Sequence, residues 1–164
     1  MDLAALRWKM EVPEDSARYY EEALDLAREH GKPEHRAAAL ASLSVVYRDL
    51  GRLRESIRSG KQAVELLRGL DDPQAEAYVL TSVAESHRAL GHLSSALSCL
   101  KRSLRLRRRI GDSEGEIGAL YDISGVYESL EDAEHAREAS EEAASKQEAL
   151  QEEARVAPNA ERRS

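Results

Sequence analysis

The chain has 164 residues and a net charge of −7, with 41% apolar and 34% charged residues, six tyrosines, one tryptophan and no phenylalanine. That mix suits a solvated helical protein rather than a disordered chain or a β-sandwich, and the acidic balance opposes a general attraction to nucleic acid. No apolar stretch approaches the roughly 20 residues of a membrane span, no signal-peptide run opens the chain, and a lone Cys99 cannot form an internal disulfide; a reducing, cytoplasmic setting is expected.

Taken in order, residues 1–30 form a first unit, with a short leading helix through Trp8 and a second helix over residues 11–30. Residues 31–70, 71–110 and 111–150 then superpose without a gap. Leu40, Leu80 and Leu120 coincide, as do Leu50, Leu90 and Leu130, and Gly51 and Gly91 are matched by Glu131. A fixed period of this length is the mark of a repeat protein. Each unit reads as two helices. In the first, Leu40, Leu43, Val46, Tyr47 and Leu50 recur at three- and four-residue steps and form one apolar face. The second repeats the pattern through Leu53, Ile57, Ala63, Val64 and Leu66. Gly51 and Gly91 sit just past the first helices, where a left-handed residue commonly ends a helix. Asp72-Pro73 starts one helix, and Ser113 with Glu116 reads as a capping box that starts another. A helix pair cannot bury its apolar face alone, so neighbouring units must stack.

Leu40, Leu43, Tyr47, Gly51, Ile57 and Ala63, followed by Leu80, Val83, Gly91, Ala96 and Leu104, resemble the tetratricopeptide repeat in its variety with long, forty-residue spacing. The resemblance covers roughly residues 1–152. It implies an all-α fold, a tetratricopeptide-type helical-hairpin solenoid wound as a right-handed superhelix of about four helix pairs. One repeat domain is expected over residues 1–153, in units of about 1–30, 31–70, 71–110 and 111–153. Residues 154–164, with Pro158 and no period, are expected to form a flexible C-terminal tail. Ser56 stands where the family prefers Ala, Glu131 where it prefers Gly, and His87 where it prefers Tyr. His87 is read as a structural histidine.

Residues 101–110, "KRSLRLRRRI", carry six basic side chains at the end of the second helix of unit three. Leu97, Leu100 and Leu104 form the buried stripe of that helix. Lys101, Arg105 and Arg108, with Arg102 and Arg109 beside them, read as a solvated outer face whose last-turn cations complement the helix dipole. No aromatic residues are interleaved with the arginines, as single-strand binding would want. Along the array the charge is +4 in residues 31–70, from eight basic and four acidic residues, and −10 in residues 111–150, from two basic and twelve acidic residues. Such asymmetry fits attraction of an acidic partner to the middle, or pairing of one copy's acidic end with another's basic middle.

The five histidines show no paired metal spacing, no second cysteine joins Cys99, and neither a glycine-rich phosphate loop nor a nucleophile elbow is present. No catalytic residue, metal or cofactor is expected, and the chain reads as a non-catalytic protein–protein interaction module. In the family that the repeats resemble, the first helix of each pair lines a concave groove that receives a peptide or helix. Carried over by repeat position, the partner-binding candidates are Arg48, Tyr78, Thr81, Glu85, Arg88, Tyr121, Asp122 and Glu128. Trp8, Arg48, Arg88 and Glu128 share one repeat position, which sets two arginines along the groove to meet an acidic and apolar segment, with Tyr78 as its anchor. The chaperone-tail subclass uses a Lys and an Asn where this chain holds Ala41 and Val45, which disfavours that subclass. A homo-oligomeric assembly element is the second reading, and a nucleic-acid-binding regulator the third.

Overall fold

The computed structural model describes the backbone of residues 3–29 and 31–160, and the side chains of 14–29, 31–152, 154 and 155. Seven helices follow one another: α1 (Leu3–Glu29), α2 (Pro33–Asp49), α3 (Leu53–Gly69), α4 (Pro73–Ala89), α5 (Leu93–Ile110), α6 (Ser113–Ser129) and α7 (Ala133–Ala160). The starts of α2, α4 and α6, and those of α3, α5 and α7, fall forty residues apart, as the period predicts. Three hairpins (α2/α3, α4/α5, α6/α7) therefore stack behind a leading α1. The expected break after Trp8 is not made, and α1 is one continuous helix. Its Glu11 and Val12 stand where Gly51 and Arg52 turn the chain, offering neither glycine nor a capping oxygen. At the other end α7 runs on past residue 153 to Ala160, through Ala154, Arg155 and Ala157, which are strong helix formers.

Every turn between α2 and α7 has the same construction. The amide of Arg52 donates to the Tyr47 carbonyl at 2.7 Å, and Asp72, His92, Asp112 and Asp132 donate to Leu67, His87, Arg107 and Tyr127 in the same six-residue ring. This is the Schellman motif, and it requires a left-handed residue one position before the donor. Gly51, Gly91 and Gly111 take it with φ of 73°, 73° and 71°; Asp71 and Glu131 take it with 52° and 60°. An aspartate then caps α4, α6 and α7, whereas Arg52 and His92 before α3 and α5 supply no side-chain cap. Asp72 accepts from the Ala75 amide and Asp112 from the Gly115 amide at 2.9 Å. The capping box expected at Ser113 and Glu116 does not form, because Asp112 holds the cap position and the Glu116 carboxylate is drawn to Arg108 and Lys146.

Consecutive helices pack against each other, and α2 packs also on α4. The buried layer runs through Leu40, Leu43, Leu80 and Val83 into Leu120 and Ile123, with Cys99 touching both halves. Small residues set the spacing. A Cβ on Gly60 would collide with Val83 Cγ2 and come within 2.7 Å of Ser44 Oγ, so glycine lets α3 approach α2 and α4. Ser56, which takes the place of the family's Ala, lies 2.7 Å from both the Ser44 carbonyl and the Ser86 hydroxyl. That buried chain satisfies its polar atoms across three helices.

Candidate partner-binding groove

The side of the stack lined by α2, α4 and α6 carries the sequence-predicted residues. The apolar part of the groove is a cleft of about 250 Å³ bordered by Tyr20, Ala41, Ser42, Val45, Val46 and Tyr78. Tyr78 is 58% exposed, a large ring left uncovered over this cleft. Next to it lies a strip of alternating charge. The Arg48 guanidinium bonds Glu85 across the α2–α4 seam, and also the Asp49 carboxylate at 2.9 Å. On α4, Ala84, Glu85 and Arg88 share a small crevice with Asp122 and Val126 of α6. Burial and the charge of Glu85 push the Asp122 carboxyl up from its ordinary value, while Arg88 and Arg107 pull it down.

The structure thus brings Arg48, Glu85, Arg88 and Asp122 into one strip, with Tyr78 beside it. Thr81, Tyr121 and Glu128 do not border that crevice. The Thr81 hydroxyl bonds the Ala77 carbonyl and approaches Ser103 Oγ, both at 3.2 Å, which ties it to α5. Tyr121 donates to Gln147 of α7 at 3.1 Å. Glu128 is exposed near the end of α6 and forms no ion pair among the described residues. Tyr20 was not foreseen as a groove residue. Its signal was its own position: it stands eighty residues before the buried Leu100, on a helix with less cover.

On the opposite side, the basic run of α5 is exposed at Lys101, Arg105, Arg108 and Arg109, as expected, and several of its cations also act as tethers. Arg102 bonds the buried Glu76 of α4, and Arg107 bonds the capping Asp112 at 2.7 Å. Arg108 bridges Glu116 of α6 at 2.7 Å and Glu142 of α7 at 2.5 Å. Lys101 donates to the Tyr127 hydroxyl at 2.7 Å. Burial opposes the charge of Glu116, but hydrogen bonds from Arg108 and Lys146 prevail and hold its carboxyl below the usual range. Among the six basic residues, Arg105 has no ion-pair partner among the described residues. Glu76 and Glu116 share one repeat position and are both buried.

A bond of fixed register joins successive units. Tyr47 donates to Glu21 twenty-six residues earlier, and Tyr127 meets Lys101 at the same separation. Burial and the Glu21 acceptor push the Tyr47 hydroxyl up to about 12. His87 fills that position in the middle unit; its ring is buried, its Nδ1 has no hydrogen-bond partner among the described residues, and it faces Lys61 and His92. Burial pushes the Cys99 thiol up, so it is not an activated nucleophile.

Helical hairpins repeating every forty residues, with a shared groove on one side, define a tetratricopeptide-type solenoid. Residues 1–69 match the sequence model of the family described as Tetratricopeptide repeat. No curated protein matches it by sequence. Among solved structures it is similar to BtubC (BKLC) from P. vanneervenii, with a TM-score of 0.80 and 20% identity over 91% of this chain. The chain spans 62% of the length of that protein. It is also similar to the nearly identical TPR-like repeats of a candidate kinesin light chain of Podosopora anserina, with a TM-score of 0.68, 16% identity and coverage of 87% of this chain and 75% of that one. At these identities the likeness is one of fold. Among the described residues no helix is long and apolar enough to cross a membrane.

Proposed function

We propose that the chain is a non-catalytic cytoplasmic scaffold or adaptor that holds a peptide or helix of a partner protein in the groove of α2, α4 and α6. Tetratricopeptide repeats in general serve as protein-interaction scaffolds. The observation that carries the reading is the uncovered Tyr78 over an apolar cleft, running directly into the charged strip of Glu85, Arg88 and Asp122. An exposed aromatic anchor with a cation about 15 Å further along the same helix suits an extended segment, in which few residues supply most of the binding energy. Arg48 is already engaged by Asp49 and Glu85, so Arg88 is the donor offered to a carboxylate of the bound segment.

The test starts from a partner captured on the immobilised chain and identified by mass spectrometry. The Tyr78→Ala, Arg88→Ala double variant should bind it at least tenfold more weakly, about 1.4 kcal/mol, with an unchanged melting temperature. Undiminished affinity would sink the groove reading. The second reading, self-assembly of an acidic end on a basic middle, is favoured by the charge of −10 in residues 111–150 against +4 in residues 31–70. It predicts a larger mass by light scattering at low salt that falls as salt screens the pairing. A nucleic-acid role is not favoured, because Asp71, Asp72 and Glu76 line the same depression as Arg68, Arg102 and Arg109.

A further inference from the structure

One repeat position lies against the first helix of its own hairpin in every later unit. Ala63, Ser103 and Ala143, on α3, α5 and α7, are each 0% exposed. Their counterpart on α1, Ala23, is exposed. The neighbouring position behaves in the same way: Leu100 is buried, whereas Tyr20 is 37% exposed. These open positions line a groove of about 370 Å³ between α1 and α2, with Ala27 on one wall and Ala38 and Ala39 on the other. The molecule itself shows what fills such a place. α2 packs on both α3 and α4, the next two helices in the chain, and α4 packs on α5 and shares a crevice with α6. The α1/α2 groove is the same kind of surface with no helix on it among the described residues.

The charge beside the groove gives the occupant its register. Glu22 stands at the repeat position of Arg102, the residue that bonds Glu76 on the helix packed over α5. Glu22 is exposed and forms no ion pair among the described residues, so the sign is reversed: a helix in this groove meets a carboxylate where α4 meets a guanidinium. Leu26, 56% exposed, extends the apolar surface beside it.

We propose that the α1/α2 groove is a second docking site, which accepts from a partner protein one amphipathic helix of about seventeen residues, the length of α4. The helix presents small and aliphatic side chains at the positions of Ala77, Leu80 and Ala84, and a Lys or Arg at the position of Glu76. Backbone burial is supplied by the apolar walls, and orientation by the cation on Glu22.

The probes are two labelled peptides with the sequence of residues 72–90, one native and one carrying Glu76→Lys, titrated with the full chain by fluorescence anisotropy at low salt. The Lys peptide should bind at least threefold tighter than the native one, and Glu22→Arg in the protein should reverse that order. Ala23→Arg, a change at an exposed position, should weaken both by at least tenfold while leaving the melting curve in place. Four results overturn the proposal. Neither peptide binds, or Glu22→Arg leaves the preference unchanged. The third is a concentration-dependent mass in sedimentation that Ala23→Arg abolishes, which would make the occupant a second copy. The fourth is peptide binding only after Leu3→Asp and Leu6→Asp, which would assign the groove to the chain's own first residues.

Discussion

Asp71 and Glu131 hold left-handed backbone conformations that glycine holds in the other turns. An L-residue there carries a steric cost of roughly 1–2 kcal/mol, partly offset by the freedom glycine loses on folding. Glu131→Gly should therefore raise stability by about 0.5–1 kcal/mol in urea melts, and Gly91→Val should lower it. The position was readable from the alignment of Glu131 with Gly51 and Gly91, and the turn kept its geometry because Asp132 caps the next helix. His87 is a different kind of departure. Burial, Lys61 and His92 hold its pKa below the ordinary value of 6.5, so the unfolded chain binds the proton more readily than the folded one. The stability this histidine leaves intact above about pH 6.5 is lost as pH falls toward its lowered pKa. His87→Tyr restores the residue of the neighbouring units and a hydroxyl for Lys61; its gain in melting temperature should be larger at pH 5.5 than at pH 8. An equal gain at both would mean that packing, not protonation, separates the two residues.

At the scale of the helix, the basic face of α5 changed meaning once its neighbours were in place. Periodicity separates a buried stripe from an exposed one, and by that measure Arg102 belonged to solvent. In the structure Arg102 is the partner of the buried carboxylate of Glu76, so its loss leaves a charge without a donor. Arg102→Ala should cost about 1–3 kcal/mol in thermal or urea melts, whereas Arg105→Ala should stay within about 0.5 kcal/mol. Equal costs would return Arg102 to the outer face. The apolar faces of α2 to α6 were legible because each is written within one segment of about seventeen residues. The tethers from α5 were not, because they depend on how far one hairpin rotates against the next, which no local spacing encodes. The same holds for Thr81, which counted as a groove residue by register but turns its hydroxyl toward α5.

Across the whole molecule, stability comes from contacts between adjacent units, so the centre of the stack matters most. Leu80, 4% exposed, belongs to the buried cluster that joins α2 to α4, and Leu80→Ala should cost roughly 2–5 kcal/mol through lost burial and the cavity left behind. A much smaller loss would show that the central hairpin collapses around the gap. The solenoid itself was written in the sequence by the coincidence of Leu40, Leu80 and Leu120. The ends were not, because Glu11 and Val12 depart from Gly51 and Arg52 at the turn, and the residues beyond Ala154 follow no period.

The bond between Arg48 and Glu85 crosses from one hairpin to the next, from α2 to α4. In a stack of near-rigid plates, small rotations at each joint add up along the length, so a link across one joint bears on how tightly the stack is wound. Both side chains are partly open to water, and dissolved ions therefore act on that link directly. Salt becomes a control on the pitch of the spring: small-angle scattering should report a longer molecule at high salt, and Arg48→Met should give the longer form at every salt concentration. A radius of gyration unaffected by either change would mean that the apolar joints alone fix the winding.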